Sequence, residues 1–255
     1  MPFTISHTVL APFISKLSQN KLSIAPLAIG CMAPDLFRLF SDDTSLFSHH
    51  WQAILYPNLL IGWLFCVLWY VLYRNYFYSL LCLNDPIELP NLKSKFLFFI
   101  QISFGLILGN ITHLLWDGLS HSDARTFIFA DFLAQNIQIF HQTYPMHRVL
   151  QIGFSVVALP ILFYFCQQYY RQYHVDYLYT KKMRQMILLS FIFVLGLSSI
   201  FTWWFIQKHL MVLLPHHLYF FIGKSFNQFA QMSLLFLSLV CCIFLFLQPK
   251  SKQSK

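Results

Sequence analysis

The sequence predicts an all-α fold: a polytopic transmembrane helical bundle of about five to six spans, with short interfacial or re-entrant helices beside them. Three observations predict it. The 255-residue chain is 57% hydrophobic and only 10% charged, whereas a soluble domain carries ~25% charged residues. Its apolar residues fall into runs close to the ~20 that a helix needs to cross a bilayer. Its basic residues gather between those runs, where orientation in a membrane is set.

Residues 1–55 form a polar-motif region expected to pack on the bundle. MPFTISHTVLAPFISKL reads as a short helix that Thr4 or Ser6 could cap, because a hydroxyl accepts from early backbone N–H groups. In SIAPLAIGCMAPDLFRLF the prolines Pro26 and Pro34 argue against one straight span. Pro34 suits the first turn of a new helix, with Asp35 near the positive end of its dipole. SDDTSLFSHHW reads as a polar turn that ends in His49 and His50.

Five spans follow: Tyr56 to Tyr73, Phe96 to Trp116, Val149 to Phe165, Met186 to Phe205, and Met232 to Leu247. Leu210 to Ile222 is shorter and broken by Pro215, so it reads as re-entrant or interfacial, with a sixth crossing as the alternative. Trp51, Trp69, Tyr70, Tyr73, Trp203 and Trp204 sit near span ends, where aromatic belts form. No hydrophilic linker divides the chain, so residues 1–255 are expected to form one integral membrane domain that closes with a basic tail at 248–255.

Arg74, Lys93 and Lys95, then Arg171, Lys181, Lys182 and Arg184, then Lys250, Lys252 and Lys255 share one side in a five-span arrangement. By the positive-inside rule that side, with the C-terminus, is cytoplasmic. Lys16, Lys21 and Arg38 oppose this assignment. The His- and Asp-rich segments then meet the opposite face.

Composition also excludes. The net charge of +8 is accounted for by topology, so membrane lipids are the expected partners and nucleic acid is not. Cys31, Cys66, Cys82, Cys166, Cys241 and Cys242 lie mostly in apolar runs and form no CxxC pair, so neither disulfides nor a thiolate metal site is expected. A cleavable signal peptide is not expected, since His7, Pro12 and Lys16 interrupt the first apolar run. There is no phosphate loop, GxSxG elbow or dinucleotide fingerprint.

The chemistry concentrates in GNITHLLWDGLSH, Gly109 to His121. On a helix Asn110, His113, Asp117 and His121 share a face. Polar groups at membrane depth turn inward, and Zn²⁺ accepts both His nitrogen and Asp oxygen. The same stripe could instead be a hydrogen-bonded seam between helices. Gly118 and Ser120 could end the helix before His121 reaches the site. Taken singly, Asp35 reads as a helix N-terminal residue, and His7 and His49 as surface or interface groups. His141, His147, His174, His209, His216 and His217 read as interfacial.

MPFTISHTVLAPF, AIGCMAPDLFRLF, SHHW, THLLWDGLSH and YPMHRVLQIGFSV, in that order, resemble a family of bacterial integral membrane proteins, domain of unknown function 4184. The family is similar to a wider group of membrane-bound metal-dependent hydrolases. The resemblance implies a bacterial inner membrane protein and carries the metal-site pattern onto His7, Asp35, His49, His113 and Asp117, with His121 adjacent. It implies a divalent metal, zinc favoured, and a hydrolase acting on a lipid-like or envelope substrate, with Asp35 or Asp117 as the candidate catalytic carboxylate. The alternative is a non-enzymatic membrane protein whose His and Asp residues form a structural polar network or small conduit. This chain departs from the family pattern at His50, where a small residue is expected, and at Ile152, where a histidine is expected after Gln151.

Overall fold

The computed structural model describes residues 4–41, 47–176, 180–211 and 218–247. Five helical stretches are long and apolar enough to cross a membrane: Trp51–Leu81, Leu92–Ser120, Met146–Tyr173, Lys181–Leu210 and Phe220–Leu247, with mean hydropathy from 1.6 to 2.4. Each contains one of the expected runs and extends it. Hydropathy detects only the segment that meets hydrocarbon, whereas capping carries the helix further into polar sequence. Asn91, for example, accepts from the Ser94 amide at 2.8 Å while Ser94 Oγ accepts from the Asn91 amide, a reciprocal cap. At 28 to 31 residues the spans are roughly 42–46 Å long, enough to cross a ~30 Å core with tilt or overhang.

In chain order the helices are α1 (Leu10–Leu17), α2 (Ile24–Leu36), α3 (Asn58–Val67), α4 (Arg74–Leu81), α5 (Leu92–Ser120), α6 (Ala130–Ala134), α7 (Met146–Tyr173), α8 (Lys181–Phe205) and α9 (Leu218–Leu247). Short 3₁₀ turns cover Thr4–Val9, Phe47–His49 and Trp51–Ile54. The chain is a polytopic, all-α membrane protein, with one small addition. Within the expected loop Asp117 to Arg148, β1 (Asn136–Ile139) pairs antiparallel with β2 (Gln142–Pro145).

Several expectations need correction. Ser6 caps nothing; its hydroxyl donates to the Ser155 carbonyl at 3.2 Å, and α1 starts after Val9 without a side-chain cap. Pro34 does not open a helix but sits inside α2. The chain tolerates it there because only the carbonyl of Gly30, four residues back, loses its donor. Leu218 to Ile222 belongs to α9 and so is no separate re-entrant piece; residues 212–217, with His216 and His217, lie outside the described residues. So does the basic tail, 248–255. Tyr73 is no belt anchor, because its ring is buried and its hydroxyl meets Ser238 Oγ at 2.8 Å.

Two compact units are distinguished, Met1–Cys66 with Ile87–Arg171, and Val67–Pro86 with Gln172–Lys255. In the second, Tyr73, Tyr76, Ile187 and Cys241 form a buried core. Tyr76 donates to the Ile187 carbonyl at 2.8 Å and meets Ser190 Oγ at 2.7 Å, so its phenol is satisfied in an apolar setting.

The first unit is built on the crossing of α2 and α5. A Cβ at Gly30 would lie 2.4 Å from the Leu106 carbonyl oxygen, and one at Gly109 would lie 2.3 Å from the Leu27 carbonyl oxygen. The two backbones therefore touch, as small-residue crossings in membranes allow. Gly105 and Gly109 form a GxxxG pair on α5. Asn58 at the start of α3 donates to the Ser48 carbonyl at 2.7 Å and to Asn110 Oδ1 at 3.3 Å. These contacts hold the N-terminal region against the end of α5.

Candidate metal centre

Four separate elements deliver the expected site residues to one place. His7 comes from the 3₁₀ turn before α1, Asp35 from the last turn of α2, His49 from the turn Phe47–His49, and His113 and Asp117 from α5. His121 is the first residue past α5, yet it stays with the group because its amide donates to the Asp117 carbonyl at 2.9 Å.

Asp117 lies at the middle. Its Oδ1 is 3.8 Å from His7 Nε2 and 3.4 Å from His121 Nδ1; its Oδ2 is 3.7 Å from His49 Nε2 and 3.4 Å from His113 Nε2. His49 Nε2 also lies 3.2 Å from Asp35 Oδ1. The rings of His7 and His113 stack at 3.9 Å. Two trios each present ligand atoms within 4.8 Å of one another: His7, Asp35 and His113, and His49, His113 and Asp117. The described residues thus hold a His/Asp cluster able to coordinate a metal ion.

The hydrogen bonds set the chemistry. His113 Nδ1 lies 2.7 Å from the Cys31 carbonyl, which can only accept. Nδ1 therefore carries a proton, and Nε2 is the ring nitrogen left facing the carboxylate of Asp117. His7 Nδ1 and Nε2, Asp35 Oδ2, His113 Nε2 and Asp117 Oδ1 are all buried and find no hydrogen-bond partner among the described residues. Buried polar atoms are normally paired, so this concentration marks a site shaped for something more.

Charge leads to the same place. Two carboxylates, Asp35 and Asp117, are enclosed with one guanidinium, Arg125, whose Nη1 is 3.2 Å from Asp117 Oδ2. Arg125 also bonds Asp123 through Nε at 2.9 Å and through Nη2, so it is not wholly available to Asp117. Buried negative charge in excess of its partners is costly.

Outside the spans, burial pushes His7 and His49 below the usual imidazole range and His121 down to about 4. These rings are neutral near pH 7, the form that binds metal. Burial would raise Asp35, but the hydrogen bond from His49 and the surrounding imidazoles outweigh it and hold the carboxyl low. Asp123 is lowered to about 2 by its hydrogen bonds from Arg125.

Three sequence expectations are overturned here. Asp35 is not at a helix N-terminus; it lies at the C-terminal end of α2, where the dipole opposes a carboxylate. His7 and His49 are buried, not surface groups. His50, by contrast, is exposed. Ile152 is half exposed, so the departure at that position lies off the cluster, and its neighbour Gln151 donates to the Ser120 carbonyl at 2.9 Å. Arg125 was not anticipated. It continues the period of four of His113, Asp117 and His121, but α5 ends at Ser120, so the HSDAR turn and not the helix carries it back.

The family model described as Domain of unknown function (DUF4184) matches residues 1–246. No curated protein and no solved structure matches the chain.

Proposed function

The chain belongs to the DUF4184 family, and from the site it carries we propose a membrane-embedded, metal-dependent hydrolase with a single divalent ion, zinc by preference. The observation that supports this most is the close pair His113 Nε2 and Asp117 Oδ2, two ligand-type atoms 3.4 Å apart in a buried setting. Ligands on a tetrahedral Zn²⁺ at ~2.0–2.1 Å lie about 3.3 Å apart, which fits that separation. Both trios share His113, whose Nδ1 is taken by the Cys31 carbonyl, so a single centre accounts for both. The convergence of chain-distant residues on Asp117 favours this reading over a structural polar network, for which paired groups in a line would suffice.

In this reading His49, His113 and Asp117 would hold the ion. A bound divalent ion would lower the pKa of its water towards ~7 and polarise a carbonyl or phosphoryl oxygen. The protein's own contribution is positioning. Cys31 holds the His113 ring through Nδ1, and Ser48 holds the His49 ring through Nδ1. Asp35 Oδ2, which has no hydrogen-bond partner among the described residues, is placed to take a proton from water as general base. His7 stacks on His113 and keeps bulk water from that face.

The substrate class we propose is lipid-like or from the cell envelope, because the spans around the site face outward with apolar side chains. The orientation proposed from the basic loops puts the C-terminus in the cytoplasm and the site at the opposite face of a bacterial inner membrane. The test is incubation of metal-loaded protein with a total membrane lipid extract, followed by mass spectrometry. New head-group or acyl fragments that disappear with Asp35→Asn are expected. An extract unchanged by the wild-type protein across the common divalent metals would remove the hydrolase reading.

A further inference from the structure

Resting on that reading, we infer that the cavity beside the His/Asp cluster is an acyl-chain pocket: it takes the hydrocarbon tail of an ester-linked lipid and meets the ester carbonyl with the indole N–H of Trp116. The cavity, of about 350 Å³, is lined mainly by Trp116, Leu119, Phe129, Phe132, Leu150 and Phe154. That is within the ~300–1,000 Å³ range of small-molecule sites, and its lining is that of an apolar ligand pocket.

Three features select the occupant. The first is helical register. Trp116, Leu119 and Ser120 form a stripe on α5 next to the stripe of His113 and Asp117. Ser120 itself lines the cavity, and its hydroxyl lies 3.4 Å from His121 Nδ1. A molecule with its tail in the cavity therefore has its polar end beside the cluster.

The second is continuity with the membrane. Residues 121–145 join α5 to α7, and a segment that joins two spans emerges at a bilayer surface. That segment presents apolar side chains outward: Phe129 is 62% exposed, and Phe140, at the tip of the hairpin, is 95% exposed. Phe127, Ile128 and Phe132 are also exposed. Aromatic groups so placed enter the lipid interface, and the cavity lies beneath Phe129 and Phe132, open to a tail from the bilayer.

The third is an unsatisfied donor. Trp116 Nε1 is buried and finds no acceptor among the described residues. A plain alkane would leave that N–H unpaired, whereas an ester carbonyl would satisfy it. The Trp116 ring packs edge to face on Phe154 at 5.3 Å, and both rings line the cavity.

The experiment uses the full chain in phosphatidylcholine nanodiscs doped with a phosphatidylcholine that carries a photoactivatable acyl chain, in matched ester- and ether-linked forms. Cross-links are mapped by mass spectrometry. Labelling is expected to concentrate on 116–133 and 146–154 over lipid-facing Phe163, with the ester probe preferred. Leu150→Trp, which fills the cavity, should cut cavity labelling about tenfold and leave Phe163 unchanged. Trp116→Phe should keep the ring's bulk and abolish the preference for ester over ether, which decides the matter even if the Leu150 variant fails to fold. Cavity labelling no stronger than at Phe163, or an ester preference that survives Trp116→Phe, overturns the inference. Metal content is read on the same samples. Cavity labelling in a protein that binds no metal upholds the pocket and removes the hydrolase reading. Bound metal without cavity labelling does the reverse.

Discussion

His113 Nε2 and Asp117 Oδ2, one helical turn apart on α5, face each other at 3.4 Å. The Cys31 carbonyl holds the ring from its other side, 2.7 Å from Nδ1. The arrangement makes sense if a positive charge belongs near both atoms, and the consequences can be measured.

Arg125 and a metal ion compete for Asp117 Oδ2, since the guanidinium already stands 3.2 Å from it. Arg125→Gln should therefore bind zinc about tenfold more tightly than wild type. The check is titration against a zinc-chelating indicator in detergent. Weaker binding would mean that Arg125 supports the ion instead of opposing it.

The metal-free protein should lose stability in acid in two stages. His7, His49 and His121 titrate below the ordinary value of 6.5 when folded, so the unfolded chain takes protons first. Their contribution is present above pH 6.5 and declines as pH falls, for His121 down to about 4. Asp123, lowered from 3.8 to about 2, adds a second loss between those values. Thermal unfolding in detergent from pH 8 to 3 checks the order. A Tm that rises between pH 6.5 and 4 would contradict it.

Backbone contact between α2 and α5 sets the distance from Cys31 to His113. Gly109→Ala puts a methyl 2.3 Å from the Leu27 carbonyl oxygen, so the helices must part. Overpacking of this kind costs about 1–3 kcal/mol or more, and the Cys31–His113 hydrogen bond goes with it. Gly153→Ala is the control: its Cβ meets nothing within 4 Å, and alanine favours helix. The two variants should move Tm in opposite directions.

The turn after α5 depends on Gly118, where a Cβ would lie 1.7 Å from the Phe127 ring. Gly118→Ala should displace Phe127 and, with it, Arg125 from Asp117. Increased proteolysis between Ser122 and Phe129, with spans intact, is the expected readout; unchanged cleavage would show that the ring can simply rotate away.

Much of this was legible along the chain. The five spans follow from hydropathy, and the stripe His113, Asp117, His121 follows from a period of four. What escaped has physical causes. Pro34 looked like the start of a helix because local rules cannot register α5, whose packing keeps α2 continuous through it. Asp35 was then assigned to the wrong end of a dipole. His7 and His49 carry no local sign of burial, because the elements that enclose them are distant in sequence. The Cys31 carbonyl is backbone, which residue identity never reveals. Only the GLILG pair, Gly105 and Gly109, was an available signal for the close crossing.

The measurement nearest the centre of this account is the metal content of purified protein after zinc loading and desalting, for wild type, His113→Ala with Asp117→Ala, and exposed His50→Ala. About one ion per chain is predicted for wild type and His50→Ala, with affinity lowered at least ~100-fold in the double variant. Near-zero metal in all three, with the double variant merely less stable, would contradict it and leave the cluster as a structural polar network.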